Sequence, residues 1–177
     1  MNRMEKIETL FQKIEPQLLT DNFIQTIGDE WMLITAGSIK KYNTMTASWG
    51  AVGVLWNKPI AICFIRPTRY TFELASQAEV FTLSFFHEEY RTILNFCGSH
   101  SGKKIDKIKE TGLIAMITEN KGISYKQARM IIECRKVYFD DLKPAHFLNP
   151  ETDKKHYPKK DYHRMFIGEI VSCYVKK

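Results

Sequence analysis

Two short segments of the sequence concentrate side chains that can hold a phosphorylated, planar ligand. The first, at positions 43–50, gathers hydroxyls and one amide around Trp49 and ends on a glycine. The second, at positions 66–71, places the guanidinium groups of Arg66 and Arg69 beside two threonines. Phosphate oxygens only accept hydrogen bonds, so arginine, hydroxyl and backbone donors suit them. Small side chains beside an aromatic residue allow the close approach that a flat ring system needs.

Both segments also fit ordinary structural roles, and the residues alone leave the two interpretations open. Arg66 and Arg69 flank Pro67, and Thr71 is placed to cap a helix over residues 72–77. A phosphate at such a helix start would meet exposed amides and the positive end of the helix dipole. The alternative is a pair of surface arginines and a routine N-cap, with the first segment an ordinary strand.

A glycine- and serine-rich loop at positions 98–104 superficially suggests a nucleotide-binding P-loop. It has one residue too few between its glycines, and Lys104 stands where a serine or threonine would hold magnesium. No G-x-G-x-x-G pattern follows a strand, so a Rossmann cofactor site is not supported. The loop still offers backbone amides and a lysine to an anion.

Few residues could carry covalent or acid–base chemistry, and no H-E-x-x-H or G-x-S-x-G motif occurs. Cys97 lies beside Gly98 and close to His100, which suits either an activated thiol or a small residue that closes a helix. His163 follows Asp161 before the last predicted strand, where it could donate a proton, contact a ligand or lie at the surface. The four cysteines form no C-x-x-C pair, so free buried thiols and no metal site are expected.

The composition is that of one globular domain over residues 1–177. The chain is 44% hydrophobic and 26% charged, and a chain of this length buries about 70% of its unfolded surface. No apolar run could span a membrane and the first residues lack a signal-sequence core, so we expect a cytoplasmic protein with no membrane association. The net charge of +6 comes from scattered basic residues with acids among them, which favours a solvated surface over nucleic-acid binding.

The hydrophobic pattern predicts several strands with short helices between them. Apolar residues at three- and four-residue steps predict a helix over residues 3–14, within an N-terminal helical segment 1–16 that ends at a proline. The proline- and charge-rich positions 143–163 predict an irregular excursion. The element spacing favours a mainly antiparallel β-barrel or an α+β domain over a doubly wound sheet. We expect strands at 32–39, 47–55, 60–65, 80–86, 113–117, 128–139 and 165–175, and helices at 72–77, 88–96 and 103–110.

Six segments spread over about residues 30–175 resemble, in type and in order, those of the flavin reductase-like, flavoredoxin-type FMN-binding split-barrel family. Their joint order is far more specific than any one of them. They read N-T-M-T-A-S-W-G at 43–50, N-K-P at 57–59, R-P-T-R-Y-T at 66–71, F-T-L-S-F at 81–85, C-G-S-H-S-G-K-K-I-D-K at 97–107 and H-R-M-F-I-G-E-I at 163–170.

The resemblance implies a mainly β split barrel with short helices that binds FMN, usually as a homodimer with the flavin near the subunit interface. In the family, the segment matching 46–49 runs along the flavin and the segment matching 66–71 contacts its phosphate. The segment around 99–103 lies nearby, and Lys107 matches a recurrent lysine. The implied cofactor-binding residues are Asn43, Thr44, Met45, Thr46, Ala47, Ser48, Trp49, Arg66, Arg69, Thr71, Cys97, Ser99, Ser101, Gly102, Lys103 and Lys107.

Members of this family pass electrons through flavin, from NAD(P)H or a redox protein to another flavin, a protein or a small acceptor. His163 is the implied catalytic candidate, since many reductases carry Gly-Asp-His before the last strand. Here the triplet is Asp161-Tyr162-His163, so a flavoredoxin-like carrier without a nucleotide substrate remains open. A non-enzymatic flavin- or haem-binding split-barrel protein is the alternative. FMN would carry the redox chemistry, while the protein orients it and binds its phosphate.

Overall fold

The computed structural model describes residues 7–177, which form a large antiparallel sheet with short helices around it. The strands are β1 (Phe11–Ile14), β2 (Met32–Ser38), β3 (Lys41–Ala47), β4 (Gly50–Leu55), β5 (Lys58–Ile65), β6 (Val80–Phe85), β7 (Ala115–Ile117), β8 (Ile123–Tyr125), β9 (Met130–Asp141) and β10 (Arg164–Lys176). The α-helices are α1 (Ile7–Leu10), α2 (Phe23–Gln25), α3 (Tyr70–Gln77), α4 (Arg91–Ser99), α5 (Lys107–Thr111) and α6 (Pro150–His156). Further helical turns occupy Pro16–Leu18, Thr26–Glu30, Glu88–Tyr90 and Pro144–His146.

The main sheet is antiparallel throughout and curls round on itself. Its order is β3-β2-β6-β9-β10-β5-β4, with β1 paired to β10 off that path, while β7 and β8 form a separate hairpin. Strands β3 and β4 lie at opposite ends of this order, although only Ser48 and Trp49 separate them in the chain. Because two residues span only about 10 Å, the two ends of the sheet must approach each other. The expectation of a mainly β fold with short helices is confirmed.

Side chains from alternate positions of the central strands fill two hydrophobic clusters. Ile34 and Ile132 belong to one cluster, and their chain neighbours Leu33 and Ile131 belong to the other. Successive side chains of a strand point to opposite faces, so β2 and β9 contribute to both clusters. All four cysteines are buried free thiols, as the sequence predicts. No helix within residues 7–177 is long and apolar enough to cross a membrane.

The prediction of a helix in the N-terminal segment is wrong for residues 11–14. Of the described part of the predicted helix, residues 7–14, only α1 is helical, and residues 11–14 form a strand that pairs with positions 173–176 of β10. Strand β5 pairs with positions 164–169 of β10, so the later half of that long strand has a free edge. Pairing along this edge outweighs the weak helical preference of a short amphipathic stretch. Positions 1–6 lie outside the described residues.

Other boundaries differ from the prediction as well. The predicted strand 47–55 is interrupted, because strand pairing breaks between β3 and β4, and β3 already begins at Lys41. The predicted helix 103–110 shrinks to α5, which starts where the Asp106 carboxylate accepts two free backbone amides. The excursion 143–163 is not irregular throughout, since it contains α6 and a preceding helical turn.

Replacing Phe11 by alanine tests whether β1 is part of the core. Phe11 is 1% exposed and lies in the second hydrophobic cluster, so the loss of its ring should lower the free energy of unfolding by about 3–5 kcal/mol. The matched control is Gln12→Ala, an exposed position of the same strand, with an expected effect within about 0.5 kcal/mol. Urea denaturation measures both. Equal and small effects would contradict the paired strand.

Candidate functional site

Two adjoining clefts follow strand β3 and contain most of the predicted site residues. The first, here called the tryptophan cleft, has a volume of about 180 Å³ and is lined by Met45, Thr46, Ala47, Ser48, Trp49, Phe64, Arg66, Arg69 and His163. The second, the loop cleft, has a volume of about 90 Å³ and is lined by Asn43, Met45, Thr68, Arg69, Tyr70, Thr71, Ser99, His100, Ser101, Gly102 and Lys107. The clefts share Met45 and Arg69, and neither has a carboxylate among its described lining residues.

Strand β3 is held in place by polar contacts behind the clefts. Thr44 pairs across the sheet with Thr35, whose hydroxyl donates a 3.0 Å hydrogen bond to the Thr44 hydroxyl. The Thr44 hydroxyl in turn donates to the carbonyl of Ile34, so this side chain faces the buried interior. The hydroxyl of Thr46 donates to the carbonyl of Leu94 and ties β3 to α4. Thr44 therefore positions the strand instead of lining either cleft.

The start of α3 differs from the sequence prediction. Helix α3 begins at Tyr70 with no side-chain cap at the preceding position, so the prediction that Thr71 caps a helix over 72–77 is wrong. The Thr71 hydroxyl accepts a 2.8 Å hydrogen bond from the side-chain amide of Asn43. A Cβ atom at Gly102 would collide with that same asparagine side chain. Asn43, Thr71 and Gly102 thus join three separate chain segments at one wall of the loop cleft.

Lys107 is the buried cation of the site. It is 5% exposed, and its ammonium group donates hydrogen bonds to the carbonyls of Thr44 (2.8 Å) and Cys97 (2.6 Å). Burial, with a smaller effect of the nearby Arg69 guanidinium, lowers its pKa from 10.5 to about 8. Two cations therefore face one small cleft whose described residues include no carboxylate to balance them.

The two arginines of the 66–71 segment have different surroundings. Arg69 donates a 2.9 Å hydrogen bond to the carbonyl of Gly98 and borders both clefts. Arg66 forms a 2.7 Å ion pair with Asp161 and donates to the carbonyl of His156 at 2.9 Å. Arg66 lines the tryptophan cleft but not the loop cleft. The structure thus places Arg69, and not Arg66, beside Lys107.

The predicted residues of the 97–103 loop contribute unequally. The Cys97 side chain is fully buried, and burial raises its pKa to about 11, which favours a small residue that closes a helix over an activated thiol. Ser99 donates to the carbonyl of Asn95 at 2.8 Å, and the hydroxyl of Ser101 accepts from the amide of Lys103. The Lys103 ammonium pairs with Glu73 and does not line the loop cleft.

His163 stands at the other end of the site, beside Trp49. Their ring centroids are 4.9 Å apart, and the Nδ1 atom of His163 shares a 2.8 Å hydrogen bond with the Tyr157 hydroxyl. His163 is 8% exposed. Burial, with the nearby Arg66 guanidinium, lowers its pKa from 6.5 to about 4. The tryptophan cleft is therefore bordered by a neutral imidazole at physiological pH.

Sequence reasoning missed several residues of the two clefts. Thr68 and Tyr70 line the loop cleft and lie inside the 66–71 segment. The sequence pattern therefore identifies their segment but does not single out these two residues as ligand contacts. His100 lines the loop cleft and stacks on Phe96 with ring centroids 4.0 Å apart, which the loop pattern does not reveal. Tyr157 lines neither cleft but hydrogen-bonds His163, and it comes from the 143–163 excursion, whose unusual length was the available signal. Across residues 7–177, no group of three or more His, Cys, Asp or Glu side chains could hold a metal ion.

Comparisons with known proteins agree with this architecture. The family model of the flavin reductase like domain matches residues 25–177. No curated protein sequence matches the chain.

Among solved structures, the flavoredoxin from Methanosarcina acetivorans has a TM-score of 0.64 at 23% identity and covers 84% of this chain and 69% of its own. The FMN-binding protein from Thermus thermophilus has a TM-score of 0.65 at 19% identity over 81% and 69%. The NADH:FAD oxidoreductase from Streptomyces globisporus has a TM-score of 0.60 at 14% identity over 81% and 73%. At these identities the likeness establishes a shared fold.

His163 should remain neutral well below physiological pH. The imidazole Cε1 proton resonance, assigned by its loss in His163→Gln, should stay constant from about pH 8 to pH 5, because the pKa is about 4. The unfolded chain takes up this proton near pH 6.5, so stability is lost as pH falls towards 4, by up to about 3 kcal/mol. A resonance that titrates between about pH 6 and 7 would contradict the buried neutral histidine.

Proposed function

This chain belongs to the flavin reductase-like family, and on that premise we propose that it is an FMN-dependent oxidoreductase. It takes electrons from NAD(P)H or a redox protein and passes them to a flavin, a protein or a small acceptor. The observation that carries the proposal is the pair of adjoining clefts along β3. One is bordered by a tryptophan and a neutral imidazole, and the other by two cations that no lining carboxylate neutralises.

The loop cleft suits the phosphate group of FMN. Arg69 and the ammonium of Lys107 both border it, and hydroxyls of Thr68, Ser99 and Ser101 lie around it. A phosphate dianion there would balance the two positive charges and accept charge-assisted hydrogen bonds. Behind these donors the contact between Asn43 and Thr71 fixes the cleft wall. We assign Cys97 a contribution through its carbonyl, which orients Lys107.

The tryptophan cleft suits the flat ring system of FMN. Met45, Ala47 and Ser48 form its β3 wall, and Trp49 closes one end beside His163. Because the two clefts share Met45 and Arg69, one ligand can occupy both, with its ring in one and its phosphate in the other. Bound FMN supplies reversible two-electron chemistry. The chain's own residues position it, and the neutral His163 offers a hydrogen-bonding group at the cleft edge.

Support for FMN comes from the family model and from the solved neighbours, which include an FMN-binding protein and a flavoredoxin. A homodimer and a cytoplasmic location are further proposals, which rest on the family resemblance and on the sequence.

Anaerobic titration of the FMN-loaded protein tests the reaction. Added NADH or NADPH should bleach the oxidised flavin spectrum with one equivalent of two-electron donor per flavin. Reduction by dithionite but by neither nucleotide would instead identify a carrier that depends on a redox protein. A protein that binds no FMN, as purified or after its addition, would contradict the whole proposal.

Replacing Arg69 by glutamine separates phosphate binding from ring binding. The loss of one charge-assisted hydrogen bond, about 1.5–3 kcal/mol, should raise the Kd of FMN by about 10- to 100-fold. The Kd of riboflavin, which lacks the phosphate, should hardly change. Quenching of flavin fluorescence measures both constants.

The matched control is Lys104→Gln, an exposed lysine that borders neither cleft. It should leave both flavin constants unchanged. An equal loss of riboflavin and FMN affinity in Arg69→Gln would show that Arg69 supports the ring or the fold and does not bind phosphate.

A further inference from the structure

A third cleft opens beside the tryptophan cleft, under the segment 143–163, here called the strap. This strap cleft has a volume of about 560 Å³, and the strap residues that line it are Lys155, His156, Pro158, Lys159 and Asp161. From the rest of the chain it shares Arg66 and Arg69 with the tryptophan cleft. A ligand in the strap cleft can therefore reach a ring system held beside Trp49.

The strap is tied to the site by contacts on both sides of the tryptophan cleft. The Arg66 guanidinium holds it through Asp161 and through the carbonyl of His156, and the same guanidinium lies 5.2 Å from the Tyr157 ring centroid. The ring of His156 meets Trp49 edge-on at 5.6 Å between centroids. These contacts fix the strap cleft relative to the tryptophan cleft.

The charges of the strap are distributed unevenly. Lys154 pairs with Glu151 and Lys160 pairs with Asp153, both at 2.8 Å, and neither lysine lines the strap cleft. Lys143 likewise pairs with Asp140. The two remaining lysines of the strap, Lys155 and Lys159, line the cleft, and none of the described carboxylates pairs with them.

The remaining lining charges leave the strap cleft strongly positive. Its one described acid, Asp161, is balanced by Arg66, and that guanidinium holds the pKa of the carboxyl below its usual value. Arg69 also lines the border, but its charge is assigned above to the flavin phosphate, so the net positive charge of the cleft comes from Lys155 and Lys159. A helix C-terminus favours a nearby cation such as Lys155, but Lys159 lies beyond the end of α6. The cleft is thus suited to a ligand with more than one phosphate group.

We propose that the strap cleft binds the adenosine phosphate half of NADPH, with Lys155 and Lys159 recognising its 2′-phosphate. The nicotinamide would then reach the tryptophan cleft past Arg66. This inference rests on the proposed function, and it selects the phosphorylated dinucleotide over NADH.

A second basic cleft of the molecule does not adjoin the tryptophan cleft. It is lined by six lysines, among them Lys104 and Lys109, and has a volume of about 930 Å³. It borders the loop cleft through Asn43 and Lys107 but shares no lining residue with the tryptophan cleft. A dinucleotide held there would meet the phosphate end of FMN and not its ring. Lysines of that cleft therefore serve as comparison positions.

Isothermal titration of the FMN-loaded protein with 2′,5′-ADP tests the proposal without turnover. Lys155→Gln and Lys159→Gln should each raise the Kd of 2′,5′-ADP by about three- to tenfold, since an exposed ion pair contributes up to about 1 kcal/mol and a phosphate contact somewhat more. Binding of 5′-ADP should be weaker and less sensitive to either change. The KM for NADPH should rise in both variants, with the KM for NADH changed less.

The matched control is Lys154→Gln, which makes the same charge change next to Lys155 on α6 but outside the cleft. It should leave the Kd of 2′,5′-ADP within twofold of its original value, and all three variants should keep the original Kd of FMN.

The proposal is overturned if the FMN-loaded protein does not bind 2′,5′-ADP, or if only Lys104→Gln or Lys109→Gln weakens that binding. It is also overturned if Lys154→Gln weakens binding as much as the two cleft variants. A failure to bind FMN would be detected before any nucleotide is added. That result would count against the proposed function and not against the strap cleft. Lysine-dependent 2′,5′-ADP binding by such a protein would still support the strap site.

Discussion

The site depends on one buried positive charge, the ammonium of Lys107. Burial lowers its pKa to about 8, which corresponds to an unfavourable free energy on the order of 3 kcal/mol at neutral pH. The carbonyls of Thr44 and Cys97 accept its hydrogen bonds and thereby join α5 to β3 and α4. The charge itself remains unbalanced, and Arg69 adds a second one beside it. An anion in the loop cleft would offset this electrostatic penalty.

The surrounding contacts serve to hold β3 next to that charge. Thr46 ties the strand to α4, and Asn43 ties it to α3 through Thr71. A Cβ atom at position 102 would collide with the Asn43 side chain, which would then have to move from its place against Thr71. Strand β3 ends two residues before Trp49, so the position of the loop cleft fixes the position of the tryptophan cleft.

The two arginines of the 66–71 segment make different contacts. Arg69 faces the loop cleft, while Arg66 is occupied by Asp161 and by the carbonyl of His156. Arg66 thus anchors the strap across the tryptophan cleft. The strap also supplies Tyr157, which holds His163 at the cleft edge.

Local patterns were sufficient to predict the mainly β fold and the segments that converge on the site. The order of the motifs also pointed to the family to which the chain belongs. Details set by tertiary contacts could not be predicted. Phe11 fits a helical stripe as well as a strand, and the free edge of β10 decides between them. Arg66 and Arg69 look equivalent in sequence, and contacts with distant segments distinguish them, among them the Asp161 carboxylate 95 residues away from Arg66.

The most direct test of this account is a crystal structure of the protein with FMN. The account predicts that the phosphate lies within hydrogen-bonding distance of the Lys107 ammonium and the Arg69 guanidinium, with the flavin ring against Trp49. A phosphate bound instead by Lys155 and Lys159 in the strap cleft, with the loop cleft empty, would contradict it.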